Sequence, residues 1–296
     1  MKSIGVVTDS HSGITKRQAE ELGIFVLPMP FYIDGICCYE DVTLTRQEFF
    51  ERLDSGKEIS TSQPSPESVT EIWNQALKEY ETILYIPLSS GLSGSCATAC
   101  MLAGQDPYRN RVFVVDNGRV SVPLHRSVLD ALELIGEGYS AEEIRRILEE
   151  SRDRMSIYIG VQTLEHLRRG GRISATSAAL GTVLNIKPVL RLGVGTLDLY
   201  KKCHGFTKAR STMIQAVKQD METRFRRWYE AGEICLMSAT SAPEAETREW
   251  EEEIRDAFPG MPLLSGALSL GVCCHIGAGG LGIGCSCRPK RPQKER

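Results

Sequence analysis

Three stretches of this chain hold hydroxyls, an imidazole and unpaired backbone donors close enough together to grip or attack an oxygen-bearing ligand: Thr61-Ser62, Ser89 to Ser95, and His275 to Gly280. The second is the most telling. The apolar run Thr82-Ile83-Leu84-Tyr85-Ile86 reads as a buried strand, and Cys96 to Ala103, free of glycine and proline, reads as a helix start. Between them a Gly/Ser turn leaves N–H groups unpaired at a helix N-terminus, beside the hydroxyls of Ser90, Ser93 and Ser95. Such a corner favours an anionic oxygen. It has no lysine and no Walker A pattern, so it is not the usual nucleotide phosphate loop. An ordinary turn with a serine N-cap is the plainer alternative.

Two chemistries compete for these residues. Ser93, Asp116 and His275 follow Ser…Asp…His order, which suggests a hydrolase nucleophile, although Gly91-Leu92-Ser93-Gly94-Ser95 lacks the last glycine of G-x-S-x-G. The other is recognition without reaction, in which neutral O–H and N–H donors converge on a carboxyl or phosphate group. Metal chemistry has little to stand on. The five histidines are scattered, and the ten cysteines form adjacent pairs (Cys37-Cys38, Cys273-Cys274) or the tight Cys285-x-Cys287, with no C-x-x-C. Most of these cysteines read as small apolar core residues in a reducing compartment.

The elements that must position these groups fall into two halves. Ser3 to Thr8 reads as a strand ending in Asp9-Ser10-His11-Ser12-Gly13, with Asp9 an acid, a base or a turn cap. Thr15 caps a helix to Leu22, Thr45 caps another, and Ser65 with Pro66 begins a third that runs to Tyr80. Val112 to Val115 repeats the pattern of apolar strand and polar tip, Asp116-Asn117. Repeated units of this kind predict a mostly parallel α/β sheet, whose ligands lie at the strand carboxyl ends. After Arg154 the character becomes α+β: a strand at Ser156 to Val161, a basic glycine turn at Arg169 to Ser174, and a helix over Ser177 to Leu184. A hairpin around Gly193 to Thr196 follows, and then a long helix from Thr207 to Trp228. The last apolar strands are predicted at Leu263 to Leu268 and Gly271 to Ile276.

With 296 residues the chain can hold two cores. We expect an N-terminal α/β domain over 1–154, a C-terminal α+β domain over 155–287 and a basic tail over 288–296, with a ligand between the domains. A formal net charge of −3, with acid and base interspersed, argues against nucleic acid as a partner. The N-terminus has no signal-peptide pattern and no apolar run approaches membrane-spanning length, so a cytoplasmic protein without an integral membrane segment is expected.

Taken together, six motifs change the reading: Thr8-Asp9-Ser10, Thr61-Ser62-Gln63-Pro64-Ser65, Ser89 to Gly94, Gly170-Gly171-Arg172-Ile173-Ser174, Leu184-Asn185-Ile186-Lys187-Pro188 and His275-Ile276-Gly277-Ala278-Gly279. In order and spacing, from about Ser3 to Gly284, they resemble the DegV family. The resemblance implies a non-catalytic protein that binds one long-chain fatty acid as its ligand and needs no other cofactor. It also implies a partner, a dihydroxyacetone-kinase-like fatty acid kinase subunit to which the acyl carboxylate is presented. A lipid sensor without that partner is the alternative within the family.

By the same resemblance Thr61 and Ser93 hold the carboxylate, Ser62 and the Gly94 N–H lie beside them, and His275 stands near the headgroup. The acyl chain would be buried between the domains. Phe25 to Leu27, Val183-Leu184 and Val189-Leu190 could line its tunnel, although core packing would account for each alone. Kinase-partnered relatives tend to carry Lys-x-Arg-Gly where this chain has Lys202-Cys203-His204-Gly205. Partner docking is therefore expected to fall on Arg169, Arg172 and His204. The usual H-x-G-P-G also loses its proline here, which implies a slightly looser loop with an unchanged histidine role.

Overall fold

Short-range chemistry starts most elements of the first half. Thr15, Thr45 and Ser140 each close a capping box with the residue three positions on, and Ser65 caps a helix with Pro66 at its first position. The structure, a computed structural model, describes residues 2–174, 185–193 and 197–291. The expected helix over 177–184 and the 194–196 turn lie outside the described residues, as does the end of the basic tail.

The first half contains β1 (Lys2–Asp9), α1 (Lys16–Leu22), β2 (Phe25–Leu27), β3 (Phe31–Ile33), β4 (Ile36–Cys38), α2 (Arg46–Asp54) and β5 (Ile59–Thr61). It continues with α3 (Pro66–Ala76), β6 (Tyr80–Ile86), α4 (Ser95–Ala103), β7 (Val112–Val114), α5 (Val122–Gly136) and α6 (Ala141–Glu149). Strands β2-β1-β6-β7 form a parallel sheet in that order. Trp73 and Ala99 of α3 and α4 pack in the core on one face, and Leu124 and Ile144 of α5 and α6 in the core on the other.

The second half contains β8 (Met155–Gly160), α7 (Glu165–Gly170), β9 (Ile186–Leu192), β10 (Leu197–His204), α8 (Phe206–Glu222) and α9 (Arg226–Glu230). Then come β11 (Ile234–Thr240), α10 (Glu244–Ala257), β12 (Leu263–Ala267), α11 (Leu270–Ile276) and β13 (Leu281–Cys287). Its mixed sheet runs β10-β9-β8-β13-β11-β12, antiparallel except for β11 with β12. Met213 of α8 and Trp250 of α10 fill the core on one face. The core on the other face is shared with the first half: Phe31, Ile33, Cys38 and Phe49 join Ile159, Leu190 and Met237. Thus the small antiparallel sheet β4-β3-β5 and helix α2 cover the second sheet.

One predicted element changes type. The apolar run at 271–276 is not a strand but most of α11, with Ser269 extended before it and Gly277 at φ 79° after it. The strand that ends the fold is instead β13, Leu281-Gly282-Ile283-Gly284-Cys285-Ser286-Cys287, central in the sheet. Its glycines dilute the strand signal in the sequence. They are there for clearance: a Cβ on Gly284 would stand 2.1 Å from the Ser156 carbonyl oxygen of β8.

Candidate functional site

Register brings the first two site residues together. β5 pairs with β3 so that Thr61 lies opposite Phe31, at the end of the sheet that covers α11. His275 stands in the last turn of α11, and Thr61 Oγ1 is 3.0 Å from its Nε2. The other ring nitrogen, Nδ1, is buried without a partner among the described residues. It faces the backbone of Gly170, where a Cβ would come within 2.0 Å of it. Only glycine leaves room for the ring in this place. Burial, reinforced by the charge of Arg172 and by His166, pulls His275 down to about 4, so the imidazole is neutral near pH 7.

The serine loop after β6 is pinned along its length. Ser89 N–H donates to the Arg119 carbonyl, Ser90 donates to Asp116 through both its N–H and its hydroxyl, and the Leu92 and Ser93 N–H groups donate to the Ser89 carbonyl. Ser93 Oγ accepts from Ser95 N–H at 3.2 Å, at the start of α4. Arg172 donates to the carbonyls of Leu92 and Gly170, which ties this loop to the end of α7. Asp116 is committed to Ser90 and faces Arg152 at 3.4 Å. The Ser93, Asp116 and His275 order seen in the sequence therefore does not assemble as a triad.

A cavity of about 950 Å³, counting its open mouth, runs from these groups between the parallel sheet and the six-stranded one. Ile157 and Ile159 of β8, Leu192 of β9, Leu197 of β10 and Ala239 of β11 form one wall. Met29, Leu88, Leu92 and Val120 face it, with Leu268, Val272 and Ile276 around α11. Among the described residues the polar lining is confined to His11, Thr61, Ser62, Ser93, Ser121, Arg172 and His275. Phe25 and Leu27 belong to the core under α3, and Val189 and Leu190 to the cores of the second sheet, so none of these lines the cavity. Val183 and Leu184 lie outside the described residues.

Of the residues singled out in the sequence, Thr61, Ser62, Ser93, His275 and Arg172 meet at this cavity. Gly94 is adjacent but exposed, with the Gln63 side chain against it (2.7 Å from a Cβ placed there). Arg169 is exposed and paired with Glu165, and His204 is exposed at the end of β10. Arg172 thus lies in the cavity wall, apart from Arg169 and His204 on the surface. Asp9 works as a cap: its carboxylate accepts from the N–H groups of His11 and Leu88, while complete burial pushes it up to about 6. Sequence reasoning missed His11 and Ser121 as lining residues. For His11 the only signal was its place on the polar tip after β1, shared by its neighbours; Ser121, seven residues past β7 at the N-cap of α5, carried none.

Among the described residues no group of three or more His, Cys, Asp or Glu could hold a metal ion, and no helix is long and apolar enough to cross a membrane. All ten cysteines are free. A parallel α/β body and a mixed-sheet body enclosing a largely apolar cavity with a few polar side chains, Arg172 the one charged among the described residues, is the architecture these observations define.

Comparison with known proteins gives that architecture a family. The model described as "Uncharacterised protein, DegV family" matches residues 3–287, and the chain belongs to the DegV family. A DegV domain-containing protein of Deinococcus radiodurans is 36% identical over 218 residues, covering 73% of this chain and 77% of that protein. One from Caldanaerobacter subterraneus subsp. tengcongensis is 34% identical over 218 residues, 74% of this chain and 78% of the relative. Among solved structures, a DegV family protein from Thermus thermophilus, described by its fatty acid binding, superimposes with a TM-score of 0.83 at 32% identity, covering 96% of this chain and 99% of that one. DegV of Bacillus subtilis, described as a fatty acid binding protein, gives 0.82 at 26% identity, over 97% and 100% of the two chains.

Proposed function

We propose that this protein binds one long-chain fatty acid, with the carboxylate at Thr61, Ser62, Ser93, the Gly94 N–H and His275 and the tail in the apolar cavity. One observation carries the reading: the apolar cavity has a neutral hydroxyl and imidazole pair, Thr61 with His275, in a lining that also includes Ser93. The energetics agree. A saturated chain gains about 0.8 kcal/mol per buried methylene, so ~14 of them supply on the order of 10 kcal/mol before ordering costs. The headgroup then needs orientation more than affinity, and uncharged donors orient it while leaving one oxygen free.

A free oxygen is what a phosphoryl donor requires. In this reading the protein is not itself an enzyme and presents the carboxylate to a separate, dihydroxyacetone-kinase-like subunit that forms the acyl phosphate. Docking would use Arg169, Arg172 and His204. Covalently, the α/β domain would end at 154, the α+β domain would span 155–287 and a basic tail would follow over 288–296. Ten free thiols fit a cytoplasmic setting.

The test is lipid extraction of the protein purified from cells, followed by mass spectrometry. One fatty acid per chain is the expected result. A protein that is empty and also ignores added palmitate and oleate would overturn the reading. Co-precipitation with the kinase-like protein of the same cell tests the presentation step separately.

A further inference from the structure

The cavity has polar groups that the headgroup does not use. His11 and Ser121 both line it, and both are more than nine-tenths buried, with 7% and 4% of their surfaces exposed. Neither His11 Nδ1 nor Ser121 Oγ has a hydrogen-bond partner among the described residues. The nearest carboxylate oxygen to that nitrogen, Asp9 Oδ1, is 3.7 Å away, beyond bonding range. The two residues are built as a unit, since Ser121 N–H donates to the His11 carbonyl at 2.7 Å.

Their place along the cavity follows from α11. His11 Nε2 lies over Gly271, where a Cβ would be 2.8 Å from it. His275 is one helical turn further on, a rise of about 6 Å. His11 and His275 therefore stand about one turn apart along α11, and an acyl chain that runs along this helix from His275 meets His11 several carbons on.

We propose that His11 and Ser121 form a second polar station in the cavity, which selects an acyl chain carrying a hydroxyl several carbons from its carboxyl group. The inference rests on the acyl reading of the cavity given above. Burial, with His275 nearby, pulls His11 down to about 3, so its ring is neutral, with one N–H donor and one acceptor nitrogen. An alcohol needs one of each, and the serine hydroxyl can supply either. A plain alkyl chain would leave both groups buried and unpaired, which is unfavourable. Ser121 is also held at φ 58°, ψ −142°, a conformation that suits glycine. The chain places a hydroxyl at this position in spite of that strain.

The experiment uses the delipidated full-length protein and displacement of a fluorescent acyl probe. Palmitate is compared with a series of monohydroxypalmitates whose hydroxyl steps along the chain. At least one positional isomer should bind as tightly as palmitate or more tightly. His11→Leu and Ser121→Ala should each lower the affinity ratio of that isomer to palmitate at least fivefold. Ser121→Gly, which fits the backbone and also removes the hydroxyl, should do the same if Ser121→Ala does not fold. If every isomer binds at least tenfold more weakly than palmitate, or if the ratio is unmoved in the variants, the station is no more than a strained packing site. If palmitate and all isomers fail to displace the probe, the acyl reading falls and this inference falls with it.

Discussion

The parallel sheet and the six-stranded sheet meet at one cavity but contribute different parts of themselves to it. The parallel sheet contributes its edge. Because β1, β6 and β7 run the same way, the segments after them deliver His11, Leu88, Leu92, Ser93 and Ser121 to one place. The six-stranded sheet contributes its face, with Ile157 and Ile159, two apart on β8, on the same side. Edges carry loops whose N–H groups and hydroxyls lie outside the ladders, so they suit recognition of oxygen. Faces carry side chains in fixed register, so they suit a featureless alkyl chain.

If the face depends on close strand packing, the largest effect should come from within it. Gly284→Val puts a side chain where a Cβ already stands 2.1 Å from a backbone oxygen. It should cost about 3 kcal/mol of stability in chemical denaturation, or prevent folding. A variant as stable as the parent would show that the β8–β13 spacing is not what holds this wall.

The edge should respond in binding rather than in stability. Thr61→Val and Ser93→Ala are each expected to weaken palmitate by about 1 kcal/mol, roughly fivefold, in the same displacement assay. Unchanged affinity in both would remove the headgroup assignment and leave only the apolar wall.

The pH dependence separates the two walls more finely. His275 is held at about 4 in the free protein. A bound carboxylate within reach raises a histidine by ~1–3 units. Binding then takes up a proton, so affinity should be flat from about pH 7.5 to 9 and strengthen a few-fold towards about pH 5.5, where a fatty carboxylate is still largely ionised. A flat profile over the whole range would place the carboxylate away from His275. The smallest effects belong to neither wall. Arg169→Ala and His204→Ala, on exposed side chains, should change stability by no more than about 0.5 kcal/mol and leave palmitate affinity within about twofold.

Much of this was legible before any coordinates. Thr15, Thr45 and Ser65 announce their helices because a cap is satisfied within three residues. Thr61, Ser93 and His275 stand in motifs whose order carries the family, and they converge. The errors had physical causes too. The run from Gly271 to Ile276 is short and apolar, and periodicity cannot separate a buried strand from a buried helix at that length. Strand β13 escaped notice because glycines chosen for the closeness of β8 weaken the very pattern that marks a strand.

By itself the sequence determined where helices begin, where strands end in polar tips, and which hydroxyls and imidazole belong to one motif set. The first two rest on hydrogen bonds and torsions spanning a few residues, the third on the resemblance of the motifs to the family. Only the tertiary structure decided that Thr61 meets a histidine 214 positions away, that Gly170 makes room for that ring, and that Asp116 turns to Ser90. It also decided that His11 and Ser121 look into an apolar cavity and that the segment from Phe31 to Phe49 covers the other half's sheet. Those outcomes depend on which buried surfaces close on one another, and burial is a property of the whole fold rather than of any stretch within it.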